Sequence, residues 1–393
     1  MTVRDQEPLL EVTDAIAEHG GAALLECLGC GTCSVSCPWT LVRDHSVRRI
    51  VRLAALGLEG FEPQSWLCLT CNLCVERCPQ QIDLVEVMQA MRAVAAEAGG
   101  LPRGLSAAVG SLASAGNPWG GDQNERSQWA RGIEHEDRER EGEGEGEREQ
   151  LLYFNCCTSA YDGRAQKLAR AAVVLLRHAG FDVAFAAEGE ICCGDLAVRA
   201  GRSDLAERLM AKNLSAFSAA GGAPVVTSSP HCRQAFRGPY ADRDAAVGQA
   251  RHTCEVLAGA VSSGALRLTR AVRARAAFHD PCYLGRHAGI FELPRDLLRA
   301  VPELELVELP RNREDALCCG GGGGGAFRET ATDERHALLR VDEARAAKVD
   351  LLVTACPLCL LMLEDAVRVR DLEGSLRVLD LCEVLKQGLG NDE

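Results

Sequence analysis

Cys27, Cys30, Cys33 and Cys37 read C-x2-C-x2-C-x3-C, closed by Pro38, and Cys68, Cys71, Cys74 and Cys78 repeat the run, closed by Pro79. No other feature constrains the chain so tightly. Three thiolates two residues apart wrap three irons of one cubane from a tight loop, and the fourth cysteine of such a run ordinarily ligates the other cluster. One [4Fe–4S] cluster is therefore expected on Cys27, Cys30, Cys33 and Cys78, and a second on Cys68, Cys71, Cys74 and Cys37. Zinc, the competing metal for C-x2-C pairs, takes two pairs and has no use for the remaining cysteines. The intervening VRRIVRLAALGLEG reads as an amphipathic helix under the clusters, with Trp39 and Trp66 as shields against solvent.

Twenty cysteines in 393 residues are too sparse for a disulfide-stapled secreted domain. Arg4, Asp5 and Glu7 interrupt the start and no apolar run follows, so no secretory signal is expected. The longest apolar stretch, 169–187, is broken by Arg177, His178 and Asp182, so no membrane span is expected either. These features predict a reducing cytoplasm, where clustered cysteines hold metals, with any membrane association peripheral and through a partner. A net charge of −13 excludes the basic face that nucleic acid requires.

Composition divides the chain into four segments. Residues 1–100 hold the two cysteine runs among helical stretches. Residues 101–150 form a connector ending in a charged, nearly apolar-free run from Glu134 to Glu149, which reads as a solvated tether. From 151 the texture changes to short apolar runs (LLYFN, DVAFA, PVVTS) alternating with amphipathic stretches such as QKLARAAVVLLRHAG, which ends at a helix-capping Gly180. The pattern restarts at 273 with AAFHD, LELVEL, LLVTA and LRVLD. The predicted architecture is α+β overall: a mainly helical N-terminal domain, then an α/β, Rossmann-like unit duplicated over 151–272 and 273–393.

Each copy carries the same cysteine pattern. In the second, Cys282 precedes Cys318-Cys319-Gly320 by 35 residues, and Cys356-Pro357-Leu358-Cys359 follows after 35 more. In the first, Cys157, Cys192-Cys193-Gly194 and Ser229-Pro230-His231-Cys232 are separated by 34 residues each. Cys157, Cys232, Cys282 and Cys356 each lie just past a predicted strand, at the carboxyl edge where open α/β sheets bind ligands.

This arrangement resembles the CCG-domain proteins of the heterodisulfide reductase family over nearly the whole chain: a dicluster ferredoxin part joined to two CCG repeats. Iron–sulfur subunits of glycolate, lactate and anaerobic glycerol-3-phosphate dehydrogenases carry similar modules. Gly116-Asn117-Pro118-Trp119-Gly120 with Arg126, His279-Asp280-Pro281-Cys282 and Leu293-Pro294-Arg295 fit the resemblance too. It implies a non-cubane [4Fe–4S] cluster on Cys282, Cys318, Cys319, Cys356 and Cys359. The first copy departs from the pattern at Ser229, a much poorer iron ligand than cysteine. Cys157, Cys192, Cys193 and Cys232 are then left to hold an altered cluster, a zinc ion or nothing, with Cys156 as a substitute thiolate.

The Gly320–Gly325 run lacks the Lys-Ser/Thr of a phosphate loop and is assigned to close backbone approach. His231 and His279, beside ligand positions, are read as proton donors or as structural hydrogen-bonding groups. Cys254 and Cys382 are read as buried small hydrophobes. No dinucleotide fingerprint follows a strand, so flavin or nicotinamide must come from a partner. The expected function is an iron–sulfur oxidoreductase subunit, heterodisulfide-reductase-like, with Cys282, Cys318, Cys319, Cys356 and Cys359 at the catalytic end. The alternatives are an electron relay serving a flavoprotein dehydrogenase or an electron-bifurcating complex, and a zinc-stabilised docking module in the first copy.

Overall fold

The computed structural model describes residues 8–133, 148–186 and 189–390; most of the predicted tether lies outside them. Eight strands form two parallel four-stranded sheets. The first contains β1 (Gln150–Tyr153), β2 (Asp182–Ala184), β3 (Val225–Thr227) and β4 (Arg251–His252) in the order β2-β1-β3-β4. The second contains β5 (Ala274–Phe278), β6 (Leu304–Val307), β7 (Leu351–Thr354) and β8 (Arg377–Asp380) in the order β6-β5-β7-β8. The orders are identical, so the duplication read from the cysteines is a duplication of fold. β4 escaped the sequence reading because it is two residues long and polar.

In both sheets the strand order reverses between the first and third strands, β1/β3 and β5/β7. Crossover helices diverge there and leave a crevice at the carboxyl ends of the strands. The repeats pack through corresponding helices. Gln166–His178, which follows β1, lies against Leu381–Gly388, which follows β8. Thr253–Ser263, which follows β4, lies against Glu292–Arg299, which follows β5. Leu175, Leu257, Leu297 and Leu385 meet in one core spanning both repeats. Cys254 and Cys382, at 0% and 2% exposure, belong to that core as expected. The helices after β4 and β8 each begin in a capping box, from His252 with Glu255 and from Asp380 with Glu383.

The N-terminal part is helical. Val47–Ala55 buries Val47, Ile50, Val51 and Ala54 against Leu84–Glu97, whose N-cap Asp83 accepts from the Val85 and Glu86 amides. Cys27, Cys33, Cys37, Cys68, Cys74 and Cys78 pack on this apolar layer, which realises the helix predicted under the clusters. Arg103–Ala115 packs its Leu105, Val109 and Leu112 into the core of the first repeat. No helix among the described residues is long and apolar enough to cross a membrane.

Candidate metal centres

The two cysteine runs fold as compact loops, each admitting left-handed backbone: Gly29 and Gly31 in the first, Thr70 and Asn72 in the second. Cys68, Cys71 and Cys74 line one cavity together with Cys37 of the other run, the crossed arrangement predicted for the second cubane. Trp39 lines the same cavity and donates from Nε1 to the Leu67 carbonyl at 2.6 Å. Trp66, given the same shielding role from sequence, instead packs under the Arg92 guanidinium in the core of the first repeat. In the first run Cys33 is buried and Cys30 exposed. Cys27, Cys33 and Cys78 share one apolar layer.

In the second repeat five thiols form a continuous arc. Cys282 touches Cys318, Cys318 touches Cys319, Cys319 lies 3.3 Å from Cys359, and Cys359 touches Cys356. All five are buried. The Gly320 and Gly321 amides point at the Cys318 and Cys319 sulfurs at 3.4 and 3.5 Å, donors that stabilise thiolate charge. The His279 ring joins Cys319 and Cys359 in a group whose ligand atoms lie within 4.8 Å of one another. His279-Asp280-Pro281-Cys282 and Leu293-Pro294-Arg295 belong to one structure: the fully buried Arg295 grips Asp280 through two bonds, at 2.6 and 3.0 Å, fixing the turn that presents Cys282.

The first repeat presents a similar arc. Cys157 lies 3.7 Å from Cys192, Cys192 touches Cys193, Cys193 touches Cys232, and Cys232 touches Cys156. Ser229 does not join it as a thiol would; its hydroxyl accepts from the Cys232 amide and caps the helix Pro230–Ala235. The Gly116–Gly120 segment and Arg126 brace this arc from the connector. Asn117 closes its own turn with four hydrogen bonds, and the Gly116 carbonyl accepts from Cys192 N at 2.8 Å. Arg126 bonds Glu190 and the Asn155 carbonyl, on either side of the cysteines. His231 holds Asp195 at 3.0 Å and stacks on Tyr283 of the second repeat at 3.7 Å between ring centres.

The electrostatics suit metal. Contact with Cys282 and Cys319 pushes the Cys318 thiol well up, and burial adds to it. Contact with Cys318 and Cys359 holds Cys319 well down. Buried thiols crowded this closely are relieved by a cation that displaces their protons. Cys37, Cys68, Cys71 and Cys74 around one cavity, and five thiols backed by two amide donors in the second repeat, fit iron–sulfur clusters.

The contacts that join the parts leave no trace in the spacing of the motifs. Cys71 of the second run touches Cys318 of the second repeat. Gly322 and Gly323 make this approach feasible, because a Cβ on either would stand 2.5 Å from the Leu69 carbonyl oxygen or 2.3 Å from that of Cys68. The glycine run thus serves a neighbour in the N-terminal part as well as the cysteine pair beside it. Arg92, 1% exposed, donates to the carbonyls of Ser65, Cys68, Arg199 and Gly323, binding the N-terminal part to both repeats. Arg286 donates to the carbonyls of Cys71, Glu314 and Ala316, and Tyr283 and His287 both bond Thr70. No local pattern distinguishes these residues from the chain's many other arginines.

Comparison with known proteins agrees with this construction. A 4Fe-4S dicluster domain matches residues 26–82, and a cysteine-rich domain of the CCG type matches 151–237 and again 276–364. The chain is 34% identical to the probable iron-sulfur-binding oxidoreductase FadF of Bacillus subtilis, over 84% of this chain and 47% of that protein. It is 30% identical to the EtfAB:quinone oxidoreductase of Syntrophomonas wolfei, over 81% of this chain and 46% of the relative. The chain therefore spans about half the length of these two relatives. With one subunit of the dihydromethanophenazine:CoB–CoM heterodisulfide reductase of Methanosarcina barkeri it shares 30% identity, over 85% of this chain and 80% of that relative. Cluster motifs, duplicated sheets and overall sequence agree, and the chain belongs to the heterodisulfide reductase family of CCG iron–sulfur proteins, which carry electrons.

Proposed function

We propose that the chain is a heterodisulfide-reductase-like subunit that conducts electrons from the first cysteine run to the second repeat. Cys27, Cys30, Cys33 and Cys78 hold one cubane, and Cys68, Cys71, Cys74 and Cys37 the other. Cys282, Cys318, Cys319, Cys356 and Cys359 hold a non-cubane [4Fe–4S] cluster at the catalytic end. Residues 1–100, 151–272 and 273–393 act as the three functional units, joined by 101–150. The contact between Cys71 and Cys318 carries this reading, since it sets the second run directly against the second repeat. Bound clusters would supply one-electron steps, two of which, with two protons, convert a disulfide to two thiols.

The chain's own residues support that chemistry. A cavity of about 80 Å³ lies between the repeats, bordered by the first-repeat thiols on one side and by Gly321–Gly324, Pro357 and Leu358 on the other. His231 lines it. Although burial opposes the charge, the hydrogen bond to Asp195 raises its pKa, and the ring is placed to hold a proton beside the cavity. Around the exposed Cys30, Leu28 and Val35 are 69% and 85% exposed, and Leu25 and Leu41 are exposed as well. Apolar side chains in the open around a redox centre support docking of a flavoprotein or other redox subunit there. The working location is the cytoplasm, with any membrane contact made through that partner.

Replacing Cys318 or Cys319 by serine is expected to abolish disulfide reduction by the anaerobically purified full chain while the cubane EPR signals persist. Unchanged turnover would overturn the reading. The names of two relatives, an iron-sulfur-binding oxidoreductase and an EtfAB:quinone oxidoreductase, favour a second reading, a relay between redox partners. A pure relay accepts electrons but shows no thiol–disulfide activity in the same assay.

A further inference from the structure

The first repeat has lost one cysteine of the pattern, at Ser229, and has one that the second repeat lacks, Cys156, where the second copy has Pro281. These two differences meet in space. β1 and β3 are adjacent parallel strands, with Leu152 opposite Val225 and Tyr153 opposite Val226. Cys156 and Ser229 lie just beyond the ends of these two strands, and both border one cavity. Cys156 is buried, its thiol touches Cys232, and it borders the same cavity as Cys157, Cys192 and Cys193. Ser229 meanwhile keeps its hydroxyl on the Cys232 amide, at 3.3 Å.

The shape of the arc also speaks to the metal. Four sulfurs at ~2.3 Å around one zinc lie about 3.8 Å from one another. Among the described residues only His279, Cys319 and Cys359 gather a trio of ligand atoms within 4.8 Å. No trio of first-repeat sulfurs does so. Five thiols touching in series fit the border of an extended multi-iron centre better than the shell of a single tetrahedral ion.

We infer that Cys156 replaces the cysteine missing at Ser229, so that Cys156, Cys157, Cys192, Cys193 and Cys232 form a second five-thiolate iron–sulfur site, in the first repeat. The inference rests on the cluster-binding reading of these repeats, and its test uses different residues from those that test the second repeat. The full chain, purified anaerobically, is analysed for iron, sulfide and zinc and by Mössbauer spectroscopy, beside Cys156→Ser, the core variant Cys254→Ser and the double variant Cys156→Ser/Ser229→Cys. The wild type and the Cys254 variant should hold about sixteen irons per chain and the Cys156 variant about twelve, the count of four- and three-cluster proteins. The double variant should recover the missing irons, which separates ligation from a folding defect. Stoichiometric zinc in the wild type, a wild-type count near twelve, or an unchanged count in Cys156→Ser would each overturn the inference. A count near twelve leaves the second repeat's cluster standing.

Discussion

Replacing Arg92 with methionine removes five hydrogen bonds on four carbonyls belonging to three parts of the molecule: Ser65 and Cys68, Arg199, and Gly323. Methionine approximates the stem of arginine, so apolar packing over Trp66 is largely kept and the loss is polar. A buried carbonyl deprived of a charged donor costs about 1 kcal/mol or more, and four of them about 4 kcal/mol. Among the described residues Arg92 has no carboxylate as a hydrogen-bond partner, and burial, with the nearby Arg199 adding to it, lowers its pKa, so removing the cation refunds part of that cost. The net is roughly 2–4 kcal/mol, concentrated where the second cysteine run meets the glycine loop. At about tenfold per 1.4 kcal/mol, opening of that junction should rise roughly 30- to 700-fold. Hydrogen exchange with mass spectrometry on the anaerobic holoprotein reads this directly in peptides covering 65–72 and 320–325. The helix Thr253–Ser263 serves as the unchanged control, and Arg92→Lys, with three donors, should fall between. Wild-type exchange in both peptides of the methionine variant would refute the view that Arg92 clamps the three parts together.

Gly323→Ala places a Cβ 2.3 Å from the Cys68 carbonyl oxygen at a φ of +58°, so it should cost about 2–4 kcal/mol and slow electron arrival at the second repeat in stopped-flow reduction. His252 caps its helix through Nδ1, and burial lowers its pKa to about 4. Because the unfolded chain binds the proton first, stability is intact above pH 6.5 and is lost as pH falls from there towards 4; His252→Asn should flatten that limb in denaturant titrations. Arg286→Leu removes a buried cation near Cys71, Cys282 and Cys318 and should lower the midpoint potential of that region by on the order of tens of millivolts in EPR-monitored titration. Val35→Glu should leave every cluster signal in place and slow reduction by a protein partner, but not by dithionite, several-fold.

Much of this molecule was legible because cluster ligation imposes local spacing, and spacing is what a sequence displays. The gathering of Cys37 with Cys68, Cys71 and Cys74 around one cavity, the duplicated sheets and the position of Cys282 and Cys356 beyond strand ends follow from that. What escaped depends on contacts between residues far apart in the chain. Arg92 and Arg286 lie outside every motif, β4 is two residues without an apolar run, and Trp66 faces a core that belongs to a later segment. The glycine run was visible, but the Leu69 and Cys68 carbonyls against it were not. Cys156 could be noticed in the sequence, but only the fold brings it and Ser229 to one cavity beside Cys232.

The loops that follow the two cysteine pairs have taken different paths. In the first repeat Gly194 leads into the helix Asp195–Arg199, whose Asp195 orients His231. In the second, the same stretch is bare glycine and admits the Cys68–Thr70 backbone. Two copies of one fold, nearly interchangeable in their strands, thereby differ in their neighbours: one packs against the second cysteine run, and the other lines the chamber beside it. The asymmetry between the two repeats thus resides in a few residues of one turn, on an otherwise repeated frame.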